Sequence, residues 1–524
     1  MRAWMVGLAM LLAACSGGGG AVDGGVGGGS AGGGTGGGGT GGGLGGGAGG
    51  GAGGGGVGGG SGMDGGSGTD GGSGMDGGAV GLIGEVLTCG KLGMAGGLAP
   101  GNELQRHDFD TTEFPDALCN DGTPALFYFR PASSPQSRNR WLIQLQGGGS
   151  CESANSCAQR WCSEDTAFGM QGMSARPAPA AINARGIFER RADNPFGTWN
   201  HVFLKYCSSD QWAGTRRDVV VNGVDPLDGG PRTYRLHVLG TAIIDAATEV
   251  LRRDAGTGLV FTLGDAGTPL ADLDDAEIVV LAGASGGGAG TINNADRLRA
   301  LLRATNTNCQ GASCPLVFRA LIDSIIGPSL ETLDFSTSVG CDAGICDYVT
   351  MRNVAASTGG PALWGMREDE SCVSWHQANA PTLRNACNDV GHVMRNHLVT
   401  PFFVRQGQTD QLISSTLLAQ NFSVPDGGVL DLVTYAQLVQ QSLRALDTIS
   451  ATAEEGSAIT VTPGAFGPTC SEHETLSDAT QVYGVYIDGG AAGPLALFDV
   501  MQNWVTGVNP YILVANGPAD NVCP

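Results

Sequence analysis

The stretch from Ala276 to Gly287 constrains the fold more than any other part of the chain. Ala276-Glu277-Ile278-Val279-Val280-Leu281 is a short β-branched apolar run of the kind that fills a buried strand. It ends in Gly283-Ala284-Ser285-Gly286-Gly287, and from Ile292 to Leu302 apolar residues return at helical spacing. A strand that hands over to a helix through Gly-x-Ser-x-Gly must turn sharply, and the turn lifts the serine hydroxyl above the sheet. The pattern alone is weak, because Gly28-Gly29-Ser30-Ala31-Gly32 also matches it inside a glycine tract. Only Ser285 has a strand before it and a helix after it.

Other segments extend the same alternation. Ala125 to Arg130 and Trp141 to Gln146 read as adjoining strands, the second running into Gly147-Gly148-Gly149. Val202-Phe203-Leu204 is a further short strand, and Arg235 to Arg252 has helical spacing. Strands are expected at Phe318–Ile325, Pro401–Val404 and Ala458–Val461, with a closing helix over Leu495–Trp504. Alternating strands and helices predict an α/β fold, a mostly parallel sheet with helices on both faces and its chemistry at the strand C-terminal ends.

The chain divides by composition. Met1 to Ala14 has the charged, apolar and small-residue segments of an export signal, and its apolar part is too short to span a bilayer. Leu12-Ala13-Ala14-Cys15 resembles a bacterial lipobox, which implies lipidation at Cys15, and Ser16 beside it fits outer-membrane sorting. From Ser16 to about Ala79 the chain is mostly glycine and has almost no side chains from which to build a core. As a tether of roughly 64 residues it would reach about 45 Å. The expected division is therefore a signal peptide at 1–14, a lipidated Cys15 with tether at 15–79, and one folded domain at 80–524.

Within 80–524 lie 46 acidic and 27 basic residues, a balance of −19 in a chain of −22. That argues against nucleic acid as a partner and leaves the lipid anchor as the membrane contact. Fourteen cysteines follow the tether, an even number behind an export signal, which suggests disulfides. Cys309/Cys314, Cys341/Cys346 and Cys372/Cys387 are close enough in sequence for local loops. No Cys-x-x-Cys pair or Cys/His cluster of usual zinc spacing appears, so neither a metal nor another cofactor is expected.

A serine nucleophile needs a base, and the base needs an orienting carboxylate. On this strand–turn–helix arrangement the chain order is serine, acid, histidine. Only His376, His392, His397 and His473 follow Ser285. His473 sits late, in a loop after a strand, as the order requires. The other three crowd a cysteine-rich stretch and read as surface or insert residues. Asp410 ends the strand and loop from Thr400 and is the expected acid, with Asp323 the runner-up. Amides of Gly148, Gly149 and Gly286 are the expected oxyanion donors.

Four segments together resemble, in order, the pectin acetylesterase and Notum family: Cys119-Asn120-Asp121-Gly122-Thr123-Pro124-Ala125, Trp141 to Cys151, Trp199 to Cys207, and Gly283 to Gly287. The likeness runs over nearly all of 110–480. It implies an α/β-hydrolase-like fold with disulfide-stapled loop insertions and a metal-independent ester hydrolase whose triad falls on Ser285, Asp410 and His473. The implied substrate is an ester, either acetylated polysaccharide such as pectin or a protein-linked fatty acyl group. The sequence departs from the family pattern at Gln146, where glutamate is usual, at Gly149-Ser150, where an aromatic is usual, and at Gly286, where alanine is usual. A segment near Arg253–Asp275 reads as an insertion.

Overall fold

The computed structural model describes residues 80–89, 102–163, 169–253, 272–310, 313–424, 427–449, 452–453 and 460–524. The expectations for residues 1–79, including lipidation at Cys15, and for most of the 253–275 insertion lie outside these residues.

Ten strands form the central sheet. They are β1 (Glu103–Asp108), β2 (Leu126–Arg130), β3 (Arg140–Leu145), β4 (Ala181–Asn183), β5 (Asn200–Leu204), β6 (Ile278–Ala284), β7 (Val317–Asp323), β8 (Phe402–Arg405), β9 (Gly464–Gly467) and β10 (Ile512–Val514). Their order is β10-β9-β8-β7-β6-β3-β5-β2-β1-β4. From β10 through β5 every neighbouring pair is parallel, and β2, β1 and β4 complete one edge in antiparallel register. Successive strand residues point to opposite faces, so the unbroken buried run along β6 and β7 means that both faces of the sheet centre are covered. This is the mostly parallel α/β fold expected from the sequence.

Three expectations are corrected. The stretch from Arg235 is not helical at its start: Pro231–Val238 is a strand paired with Arg216–Val224, and the helix begins at Gly240 and runs to Leu251. The signal for this hairpin is the Asp228-Gly229-Gly230 turn, in which Gly229 has φ +73°. The strand expected at Ala458–Val461 is, among the described residues, only Thr460–Val461 paired with Thr452–Ala453, off the main sheet. The sheet strand is instead β9, Gly-Ala-Phe-Gly. A Cβ on Gly464 would lie 2.4 Å from the Phe403 ring and one on Gly467 2.7 Å from Leu443, so close packing selects residues without hydrophobic periodicity there. The closing helix spans Leu497–Thr506.

Seven disulfides pair all fourteen cysteines beyond the tether: 89–162, 119–207, 151–157, 309–314, 341–346, 372–387 and 470–523. Three are the local loops expected from spacing. Cys151–Cys157 is a fourth local link, the other three tie segments far apart in sequence, and Cys470–Cys523 holds the segment at 523 beside the loop that carries His473. Among the described residues no helix is long and apolar enough to cross a membrane.

Candidate active site

Ser285 stands between β6 and the helix Gly286–Thr305 with φ +52° and ψ −123°, a conformation that costs a non-glycine residue about 1–3 kcal/mol. Its surroundings impose it. The Ser285 amide donates to the Asp323 carbonyl at 2.9 Å, and the flanking glycines leave no room for side chains. A Cβ at Gly283 would lie 2.1 Å from the Gly287 carbonyl, and one at Gly287 would lie 2.1 Å from the Leu145 carbonyl. The Gly-x-Ser-x-Gly pattern is thus a packing requirement at this turn. Ser285 is 2% exposed, at the positive end of a 20-residue helix.

Asp410 and His473 meet. Nδ1 of His473 lies 2.8 Å from Oδ2 and 3.0 Å from Oδ1 of Asp410, which is completely buried. The carboxylate is fixed from three further directions: Oδ1 accepts the Leu412 and Ile413 amides as the cap of the following helix, and Oδ2 accepts Gln406 Nε2. Burial opposes protonation of His473, but the Asp410 carboxylate outweighs it, and the imidazole pKa lies above its ordinary value. With Nδ1 engaged by Asp410, the proton of the neutral ring belongs on Nδ1, leaving the lone pair on Nε2. Nε2 is buried and has no hydrogen-bond partner.

Asp323, the runner-up acid, is occupied elsewhere. Its carboxylate accepts the amides of Thr475 and Leu476 and the Thr475 hydroxyl, and it lies 3.6 Å from the buried Arg405 guanidinium. Because its carbonyl also receives the Ser285 amide, Asp323 ties the serine turn to the loop that bears His473. Sequence order could not separate this bracing role from the acid's role, since both aspartates follow strand C-terminal ends.

The glycine loop closes over the serine turn. A Cβ on Gly286 would lie 2.4 Å from the Gly148 carbonyl, so the loop touches the helix start directly. Trp212 holds the two together: its indole N–H donates to the Gln146 carbonyl at 3.0 Å, and its ring lies where a Cβ on Gly290 would be. The side chain of Gln146 accepts the Tyr206 amide, a contact that positions the loop. One residue escaped the sequence reading. Glu474, next to His473 and itself at φ +58°, is half-buried and packs its buried carboxyl oxygen against Gly147, where it excludes a Cβ. Burial raises its pKa, while His473 and the nearby Gly148 backbone favour its charged form. The Gly286 amide, as the first in its helix, has no partner within the helix ladder.

His376, His392 and His397, expected as surface or insert residues, are not at the surface: His376 and His392 are buried, His397 is half-buried, and the three rings face one another.

A family model described as Pectinacetylesterase matches residues 105–254. Human palmitoleoyl-protein carboxylesterase NOTUM is 32% identical over 183 residues, which is 34% of this chain and 29% of the relative. The Schmidtea mediterranea protein of the same name is 24% identical over 382 residues, 72% of this chain and 59% of the relative. In each case the match spans less than two thirds of the relative's length. The crystal structure of the Wnt deacylase Notum from Drosophila superposes with a TM-score of 0.53 at 23% identity, covering 79% of this chain and 97% of that one. With the ordered motifs, the parallel sheet and the serine turn, these likenesses agree: the chain is similar to the pectin acetylesterase and Notum family in its N-terminal half by sequence and to a Notum structure in fold.

Proposed function

We propose that the protein hydrolyses carboxylic esters through Ser285, His473 and Asp410, and that its substrate is an acetylated extracellular polysaccharide such as pectin. The observation that carries the reading is the buried His473 Nε2, left without a partner while Asp410 holds Nδ1. In this reading Ser285 Oγ attacks the acyl carbon and its proton passes to Nε2. The oxyanion is received by the amides of Gly286, Gly148 and Gly149. Collapse expels the alcohol, which takes the proton back from His473. Water then attacks the acyl-serine by the same route and releases the acid. The Asp410 carboxylate stabilises the imidazolium in both halves.

The Pectinacetylesterase match supports acetyl as the acyl group. The names of the curated relatives support a second reading, a long-chain acyl ester on a protein. Specificity constants across nitrophenyl esters from two to sixteen carbons separate them, since a pocket that binds the chain gains about 0.8 kcal/mol per methylene. A maximum at acetyl, with acetate released from acetylated pectin, is expected. A maximum at eight carbons or more overturns the acetylesterase reading in favour of the deacylase. The Leu12–Cys15 motif and the glycine tract support presentation of this domain by a lipid anchor at the outer membrane or cell surface.

A further inference from the structure

Away from the triad, three imidazoles converge. His376 lies on the helix Glu370–Asn379, His392 on the helix Val390–Asn396, and His397 directly follows it. Their ring centroids form a near-equilateral triangle of 5.0, 5.3 and 5.3 Å. The Cys372–Cys387 disulfide fastens the first helix to the segment that leads into the second. It also removes Cys372 as a thiolate donor, so the donor set is nitrogen only.

The carboxylate partner of His392 aims that ring's free nitrogen at the other rings. His392 Nδ1 lies 2.6 Å from Oε1 of Glu331, which places the His392 proton on Nδ1 and the lone pair on Nε2. That Nε2 lies 2.9 Å from Nε2 of His376. A carboxylate that fixes the tautomer of a histidine whose other nitrogen meets further imidazoles is the usual outer shell of a metal-ligating histidine. One ring nitrogen of each of these three residues and the Cys372 sulfur all lie within 4.8 Å of one another. Two nitrogens each about 2.0–2.1 Å from a tetrahedral zinc are roughly 3.3 Å apart. A ring shift of a few tenths of an ångström between His376 and His392 would admit the ion.

We propose that His376, His392 and His397 form a three-imidazole site for a divalent transition-metal cation, zinc foremost, with Glu331 as the carboxylate that orients His392. Nitrogen donors alone select against calcium and magnesium, which take oxygen ligands. The site's role is to brace the helical insertion against the helix that begins beside Ser285. Directly after His397, the Val399 and Thr400 amides donate to the Asp296 carboxylate on that helix at 3.0 and 2.7 Å. Asp296 lies about 15 Å along the helix from its start, so the ion takes no part in the ester reaction. The site is independent of the hydrolase reading.

The test uses the full chain without an affinity tag, stripped with chelator and titrated with Zn2+ and Co2+. One equivalent per chain is expected, with the visible d–d absorption of four- or five-coordinate Co2+ and quenching of the nearby Trp375, whose ring is 4.8 Å from that of His376. Zn2+ at a hundredfold excess over Kd should raise Tm by about 3 °C. His392→Ala and His397→Ala should abolish stoichiometric binding, Glu331→Gln should weaken it about ten- to a hundredfold, and His473→Ala should leave it intact. Should the histidine variants fail to fold, Cu2+ electron paramagnetic resonance of the wild-type chain counts the nitrogen ligands directly. Three nitrogens support the site. Substoichiometric binding, one nitrogen or none, or binding lost with His473 rather than His392 overturns it.

Discussion

Replacing Asp410 by asparagine exchanges one carboxylate oxygen for an amide nitrogen and leaves the shape of the side chain unchanged. Asparagine caps helices as well as aspartate does, so its oxygen can keep the Leu412 and Ile413 amides that Asp410 now accepts at 3.1 and 3.2 Å. The amide nitrogen then faces His473 Nδ1 as a donor, where the wild-type carboxylate accepts at 2.8 Å. The neutral imidazole must answer with its lone pair on Nδ1 and its proton on Nε2, the tautomer that cannot take a proton from Ser285. The ring also loses the charge that holds its pKa up. Loss of the orienting carboxylate in a Ser-His-Asp triad lowers kcat by about a thousand- to ten-thousandfold, equal to about 4–5.5 kcal/mol of barrier. The assay is kcat on nitrophenyl acetate from pH 5 to 9, alongside thermal unfolding to show that the fold persists. A loss below about tenfold in a folded variant, or a full loss on Asp323→Asn with Asp410→Asn active, would refute the assignment.

Four further outcomes follow from the same geometry. Asp323→Ala should cost about 3–5 kcal/mol of stability in chemical denaturation, because it leaves the buried Arg405 guanidinium unpaired, while kcat per folded molecule falls far less than in Asp410→Asn. The raised pKa of His473 places the acid limb of kcat/KM above the ordinary histidine value of 6.5, and that limb should move down in Asp410→Asn. By linkage, the raised pKa contributes stability that is full below the unfolded histidine pKa and lost as pH rises through the folded value, a trend that His473→Gln should remove from Tm against pH. Gly286→Ala restores the family's usual residue but drives a Cβ to 2.4 Å from the Gly148 carbonyl, so it should lower kcat more than it raises KM, read from steady-state kinetics. The denatured, unreduced domain should show no free thiol in a colorimetric titration, and opening the Cys119–Cys207 link by a double serine change should cost about 2–5 kcal/mol.

The sheet was legible where strands are short apolar runs buried on both faces and bounded by turn residues, as in β3, β6 and β7. It was not legible at β9, whose glycines answer to Phe403 and Leu443 across the core, nor at Pro231–Val238, where residues at helical spacing lie in a hairpin fixed by an Asp-Gly-Gly turn. Chain order narrowed the acid to Asp410, with Asp323 as runner-up, and the structure brings Asp410 to His473. It said nothing of the division of labour between Asp410 and Asp323, because that division depends on which carboxylate faces an imidazole and which faces Thr475 and Arg405. Glu474 carries no sequence signal beyond its place after His473; its burial against the glycine loop is a consequence of tertiary packing. The three-histidine cluster was read as surface because its members lie 16 and 5 residues apart, and only the packing of two helices and the disulfide between their approaches brings the rings together.

The claim that Ser285 is an activated nucleophile can be measured without knowing the substrate. A fluorophosphonate reacts with a serine whose proton is removed by a neighbouring base, and peptide mass spectrometry locates the adduct. The geometry predicts one adduct per chain, at Ser285, absent in Ser285→Ala and strongly slowed in His473→Ala. An unlabelled wild-type protein, or labelling that survives Ser285→Ala undiminished, would contradict it.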